Sequence, residues 1–163
     1  MLSSPSQELQ AGLRRAANEG KTRVKRDSPA PLSSGLWLRE LRRLHARCAR
    51  EASSFDDRAI RKAFHLAKLS PRPLRPLLVP LVSEDELEAL LEKGLHQVAA
   101  EMVTRQHVNL AQHAPRSGRY SATMQMDSYR KVEFEGASKA LAIIGAWSGF
   151  LTEMRQSRAA TGS

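Results

Sequence analysis

The spacing of apolar residues from 34 to 52 predicts an amphipathic α-helix. Apolar side chains recur there at every third or fourth position, which places them along one side of a helix. These side chains belong to Trp37, Leu41, Leu44, Cys48 and Ala52. The other sides carry arginines, namely Arg39, Arg42, Arg43, Arg47 and Arg50. Such a helix needs an apolar partner for one side and presents dense positive charge on the others.

A second helix is predicted to follow after a short link. Ser54 and Asp57 have the spacing of a capping box, in which a serine oxygen and a carboxylate three residues later accept hydrogen bonds from free amides at a helix start. The helix is therefore expected to begin near Phe55. Its inward residues would be Ala59, Ile60, Ala63, Phe64 and Ala67. Because the link is short, we expect the two helices to be antiparallel neighbours.

Prolines interrupt the pattern from 70 to 82, and a third helix is predicted beyond them. Since proline lacks an amide donor and fixes φ, this segment is expected to be an extended, partly apolar crossover. Ser83 and Glu86 then form the clearest capping box of the chain. The third helix is expected to start there and to continue to a break at 114–118. Its buried stripe would contain Leu87, Leu90, Leu91, Leu95, Val98 and Met102.

The C-terminal pattern predicts one long helix from about Asp127 to Gln156. The segment from Ala140 to Leu151 is apolar nearly all round, and it has only about half of the roughly 20 residues that span a membrane. We therefore expect no transmembrane span, but a helix that is buried or covered by a partner. Trp147 and Phe150 are expected to be exposed and to dock onto a larger complex.

Composition favours an all-α fold. Hydrophobic residues make up 41% of the chain but aromatic residues only 5%, so the core must consist mainly of small and aliphatic side chains that favour helices. We expect a basic flexible N-terminal arm over 1–33, a three-helix domain over 34–113 and a C-terminal extension over 114–163. The single cysteine, Cys48, excludes an intramolecular disulfide and is expected to be a small buried hydrophobe.

Charge limits the partners, and the motifs argue against catalysis. The formal net charge is +9, so nucleic acid, an anionic membrane or an acidic protein is the candidate partner. The chain has no HExxH spacing, no histidine–cysteine cluster, no Gly-rich phosphate loop and no nucleophile elbow. We therefore expect neither catalytic residues nor a metal site.

Taken together, the first two helices and the acid-started third helix resemble the LYR-motif family of small mitochondrial three-helix proteins. In that family an early helix carries Leu-Tyr-Arg, and a second helix carries an Arg-x-x-Phe type signature. Here Trp37-Leu38-Arg39 would stand for the motif. Arg43 would be the later arginine, and Arg61 with Phe64 the second signature. The resemblance covers about residues 35–110.

The resemblance implies a non-catalytic accessory or assembly subunit of a mitochondrial complex, such as a respiratory complex, ATP synthase or the mitoribosome. Such a subunit would bind acylated acyl carrier protein. It would bind no cofactor directly, and the phosphopantetheine-linked acyl chain of this partner would enter the space between the three helices. The carrier-binding residues would be Arg39, Arg42, Arg43, Arg47, Arg61 and Lys62. The acyl channel would be lined by Leu38, Leu41, Leu44, Phe64, Leu91 and Leu95.

An RNA-binding organellar ribosomal or ribosome-assembly protein is the alternative. A sequence pI near 10.4 suits a phosphate backbone. However, the basic stretches lack the interleaved aromatic residues on which bases stack, and the predicted third helix is acidic. Charge thus supports an RNA partner, whereas the residue pattern does not.

Overall fold

The chain has a mixed α/β fold, so the expected all-α fold is wrong. A computed structural model describes residues 29–105, 107–110, 118–127 and 130–160. The helices are α1 Ser34–Arg50, a 3-10 helix Ser53–Phe55, α2 Asp56–Lys68, α3 Arg75–Leu78, α4 Glu84–Glu92, α5 His96–Val103 and α6 Lys139–Ala160. The strands are β1 Val108–Leu110, β2 Tyr120–Asp127 and β3 Arg130–Gly136.

The helix α6 lies at the centre of the fold. It packs against α1, α2, α5 and all three strands, and every residue from Ala140 to Leu151 is buried. This burial confirms the prediction of a buried helix. A helix with protein on all sides needs an apolar surface all round, which explains the apolar sequence of this segment. Trp147 and Phe150 are only 1% and 3% exposed. The expectation that these two residues dock onto another protein is wrong, because α6 is a core element and not an extension.

No helix in the described ranges is both long enough and apolar enough to cross a membrane.

The described chain contains a three-stranded antiparallel sheet with the order β1-β2-β3. Its third strand replaces the start of the predicted C-terminal helix. The central strand pairs Met124 with Val108 on one side and with Val132 on the other. In β3, buried Val132, Phe134 and Gly136 alternate with exposed residues. This alternation is the period of a strand with one buried face, and that face packs against α6.

The two predicted helices before the crossover are confirmed, with one correction at the start of the second. Trp37, Leu41, Leu44 and Cys48 are the buried residues of α1, and the five predicted inward residues of α2 are buried as well. Ala52, however, lies beyond α1 and is exposed. The predicted capping box at Ser54 and Asp57 is wrong. The helix α2 has no side-chain cap, and the Asp57 carboxylate contacts His96 and Arg61 instead.

The predicted third helix is two helices. Its capping box is confirmed, since Ser83 Oγ accepts from the Glu86 amide at 3.3 Å and Glu86 Oε2 accepts from the Ser83 amide at 2.8 Å. The helix α4 nevertheless ends at Glu92, and Gly94 follows with a φ of 70°. That left-handed conformation favours glycine and ends a helix. The chain then turns into α5, so a continuous helix is wrong.

This break changes which apolar residues are buried. Leu87 and Leu91 of α4 are buried as predicted, whereas Leu95 and Val98 are 43% and 39% exposed. Because the turn at 93–95 rotates the chain, the apolar stripe does not continue from α4 into α5. The predicted break at 114–118 lies largely outside the described residues.

Residues 29–33 are part of the folded unit, although they were predicted to belong to the N-terminal arm. The Leu32 amide donates to the Leu69 carbonyl at 3.0 Å, and Arg75 Nη2 donates to the Pro29 carbonyl at 3.0 Å. The rest of the predicted arm, 1–28, lies outside the described residues. Within the proline-rich crossover, the short helix α3 buries Leu78. The crossover is therefore not extended throughout.

Candidate interaction surface

A groove of about 290 Å³ lies between α1 and α2. It is called the α1–α2 groove below. Its lining residues are Glu40, Arg43, Leu44, Arg47, Phe55, Arg58 and Lys62. Four of these side chains are basic and one is acidic. The groove is therefore a concave surface with an excess of positive charge.

Helical spacing explains why these cations meet. Arg43 and Arg47 are four residues apart on α1, and Arg58 and Lys62 are four residues apart on α2. Residues at this spacing are neighbours on one side of a helix, so two basic pairs border the same groove. Sequence analysis missed Arg58. The four-residue spacing between Arg58 and Lys62 was the signal that could have found it.

Two apolar residues form the floor of the groove, and one arginine covers part of it. Leu44 and Phe55 are both buried. The Arg47 guanidinium carbon lies 4.0 Å from the centroid of the Phe55 ring, which is a cation–π geometry. Arg47 also pairs with Glu51 at 3.2 Å. These two contacts hold the guanidinium of Arg47 at the edge of the groove.

Glu40 is the acidic residue of the groove, and it binds a cation from each helix. Its Oε2 lies 2.8 Å from Lys62 Nζ of α2, and its Oε1 accepts from Arg43 Nη1 of α1 at 2.8 Å. The hydrogen bond from Lys62, together with both positive charges, lowers the pKa of the Glu40 carboxyl below its ordinary value. Glu40 is therefore ionised at neutral pH and offsets part of the positive charge.

The structure brings three of the predicted carrier-binding residues together and places the other three elsewhere. Arg43, Arg47 and Lys62 line the groove. Arg39 and Arg42 are exposed and do not line the groove. Successive helix residues are about 100° apart around the axis, so Arg42 points well away from its neighbour Arg43.

Arg61 joins α2 to α4 instead of lining the groove. Its Nε and Nη2 donate to the two carboxylate oxygens of Glu88 at 2.8 and 2.7 Å. This fork geometry is the most specific that an arginine offers to a carboxylate. It lowers the pKa of the Glu88 carboxyl, chiefly through the hydrogen bond from Arg61. The basic α2 and the acidic α4 are thus paired within the chain.

The six predicted channel residues lie on several elements and differ in burial. Leu41, Leu44, Phe64 and Leu91 are buried, Leu38 is half-buried and Leu95 is exposed. Leu44 borders the α1–α2 groove. Phe64 borders a separate groove of about 450 Å³, together with residues of the crossover and of α4. Because α6 packs directly on α1 and α2, it occupies the side of these helices where the channel was expected.

A second polar cluster joins the starts of three helices. Ser138 Oγ, just before α6, donates to Asp56 Oδ1 of α2 at 2.6 Å and accepts from the Leu141 amide at 3.0 Å. His96 Nε2, at the start of α5, lies 2.6 Å from Asp57 Oδ1. The Ser138 hydroxyl is thus engaged as a helix cap and as a partner of a buried carboxylate. These hydrogen bonds hold the starts of α2, α5 and α6 together.

Asp56, the buried carboxylate of this polar cluster, predicts that the stability of the fold depends on pH. Burial raises the pKa of Asp56, against the opposing effect of the Ser138 hydrogen bond. A raised pKa in the folded state means that this group's contribution to stability is present at low pH and is lost as the pH rises through the raised pKa. We expect Asp56→Asn to remove this loss while keeping an acceptor for Ser138. The measurement is the free energy of unfolding by urea between about pH 4 and pH 7.

The control for Asp56→Asn is Asp85→Asn, which makes the same chemical change at an exposed position of α4. This variant should follow the pH dependence of the wild type above pH 4. If both variants change the slope of unfolding free energy against pH equally, burial of Asp56 is not the cause.

Cys48 is a buried hydrophobe, as predicted. Burial raises the pKa of its thiol to about 12, so the thiol is protonated and unreactive at neutral pH. Within the described part of the chain, no group of three or more His, Cys, Asp or Glu side chains is arranged to hold a metal ion.

Comparison of this chain with protein-family models, curated proteins and solved structures finds no match. The resemblance to the LYR-motif family therefore stays a prediction from the residues that carry it.

Proposed function

We propose that this chain is a non-catalytic accessory or assembly subunit that binds an acidic partner protein in the α1–α2 groove. The observation that carries the proposal is the convergence of Arg43, Arg47, Arg58 and Lys62 on one concave surface. Acyl carrier protein, in mitochondria, is the partner that the LYR resemblance implies. Its acidic helix and its phosphate match the charge of this groove.

The chemistry of the groove supports an anionic protein ligand. Arginine and lysine form charge-assisted hydrogen bonds with carboxylates and phosphates. The apolar floor lowers the local dielectric constant beside the cations, which strengthens such bonds relative to an open surface. The proposal concerns the acidic surface and the phosphate of the carrier. The predicted channel residues lie in different surroundings, so the proposal does not include an apolar channel for the acyl chain.

The test is charge reversal at Arg43, with Arg42 as the matched control. We expect Arg43→Glu to weaken binding of purified phosphopantetheinylated acyl carrier protein at least about tenfold, because like charges then face each other across the interface. Arg42→Glu changes the net charge equally on the same helix but outside the groove, so it should weaken binding much less. Isothermal titration calorimetry gives both affinities, and circular dichroism verifies the fold of each variant.

Three results would count against this proposal. Absence of binding to the wild-type protein would reject the carrier as partner. Equal losses in Arg42→Glu and Arg43→Glu would show a response to net charge and not to the groove. RNA binding stays the alternative prediction, and a steep fall of affinity for single-stranded RNA with salt, without carrier binding, would favour it.

A further inference from the structure

Glu40 contacts one cation from each of the two basic pairs that border the α1–α2 groove. One carboxylate oxygen binds Arg43 and the other binds Lys62, each at 2.8 Å. The Glu40 side chain is only 17% exposed, whereas those of Arg43 and Lys62 are 64% and 46% exposed. The anion is thus held between α1 and α2, and its cations form the surface.

A partner's carboxylate would need the same donors that Glu40 already uses. Lysine offers three N–H donors and arginine five, so a second carboxylate can approach the outer side of either cation. There it would lie close to the fixed negative charge of Glu40, and like charges at short range repel. The incoming carboxylate must therefore either displace Glu40 or bind against this repulsion.

We infer that Glu40 is a specificity-determining residue that acts as an internal competitor for the α1–α2 groove. It lowers the affinity for acidic ligands in general and selects protein segments that bring several carboxylates at once. Glu51, which pairs with the groove residue Arg47 at 3.2 Å, is a second internal anion beside these cations. This inference rests on the proposed function, because it assumes an acidic partner in this groove.

The test compares Glu40→Gln with Glu92→Gln. Both variants remove one negative charge and keep the size of the side chain, but Glu92 is an exposed residue at the end of α4 and does not line the groove. The probe is purified phosphopantetheinylated acyl carrier protein. We expect Glu40→Gln to bind it about fivefold more tightly than the wild type, which is the size of effect that ion pairs of this kind produce. Glu92→Gln should stay within about twofold.

Salt provides a second readout. A gain that comes only from net charge is screened and disappears at high ionic strength, whereas a gain from removing a competitor within 3 Å of the cations persists better. The affinity ratio of Glu40→Gln to wild type is therefore measured at about 50 and 300 mM salt. Thermal unfolding of each variant shows whether the α1–α2 contact is intact.

The outcomes separate this inference from the proposed function. If Glu40→Gln binds the carrier equally or more weakly while Arg43→Glu loses binding, the groove is the site and Glu40 only positions its cations, which overturns the inference. If Glu40→Gln binds the carrier about fivefold more tightly than the wild type while Glu92→Gln stays within about twofold, the inference holds. If neither protein binds, the proposed function and the inference both fail.

Discussion

Replacing Trp147 by alanine is expected to lower the free energy of unfolding by about 3–5 kcal/mol, the range measured for large aromatic residues in protein cores. Trp147 is 1% exposed in the middle of α6. That helix packs against helices and strands at once, so neighbouring elements cannot collapse into the cavity without moving each other. Urea denaturation followed by circular dichroism measures the change through the shift of the midpoint.

The control for Trp147→Ala is Leu81→Ala, since Leu81 is 51% exposed. Truncating it should change the free energy of unfolding by no more than about 0.5 kcal/mol. The comparison also distinguishes the two interpretations of Trp147. A docking residue would lose partner binding at unchanged stability, and that result would contradict the burial described above.

Local periodicity predicted α1 and α2 well because both helices have one apolar side and polar remaining sides. The spacing of Trp37, Leu41 and Leu44 fixes a helix almost without regard to its neighbours. The capping box at Ser83 was equally local, and both of its hydrogen bonds are present. The same spacing at Ser54 gave a wrong prediction, because Asp57 contacts α5. Spacing alone does not reveal a competing long-range partner.

The sheet was missed because composition was given more weight than alternation. From 131 to 135 charged residues alternate with Val132 and Phe134, which is a strand period. Few aromatic residues argued for an all-α core, but β-propensity depends on packing context more than helix propensity does. The pairing of β2 with β3, and the burial of their shared face by α6, are long-range features that composition does not contain.

The candidate site was predictable in part. The dense arginines of α1 indicated a basic surface, and Arg43, Arg47 and Lys62 do line the groove. Which arginines meet depends on how α1 and α2 are rotated relative to each other, so Arg42 could not be separated from Arg43 beforehand. The sequence alone does not distinguish Arg61 from the groove residues, because its bidentate ion pair with Glu88 of α4 is a long-range contact.

Replacing Gly136 by alanine is expected to lower the free energy of unfolding by about 3 kcal/mol or more, at the upper end of overpacking effects. Gly136 is the last residue of β3. A Cβ added there would lie 2.6 Å from the Ala142 amide nitrogen and 2.9 Å from the Leu141 carbonyl carbon. These obstacles are backbone atoms of the central helix. Relief would require a shift of α6 itself, which α1, α2 and the sheet hold in place.

The other tightly packed glycines are weaker test positions, and Gly35 is the matched control. At Gly145 and Gly149 a Cβ would meet the side chains of Phe134 and His45 and not backbone atoms. A loss of stability there would report side-chain packing and not the close approach of two backbones. Nothing lies within 4 Å of a Cβ added at Gly35, in the first turn of α1. Gly35→Ala should leave stability unchanged or raise it by up to about 1 kcal/mol, because alanine loses less entropy in a helix. Equal midpoints of urea unfolding for Gly136→Ala and Gly35→Ala would contradict the close approach of β3 to α6.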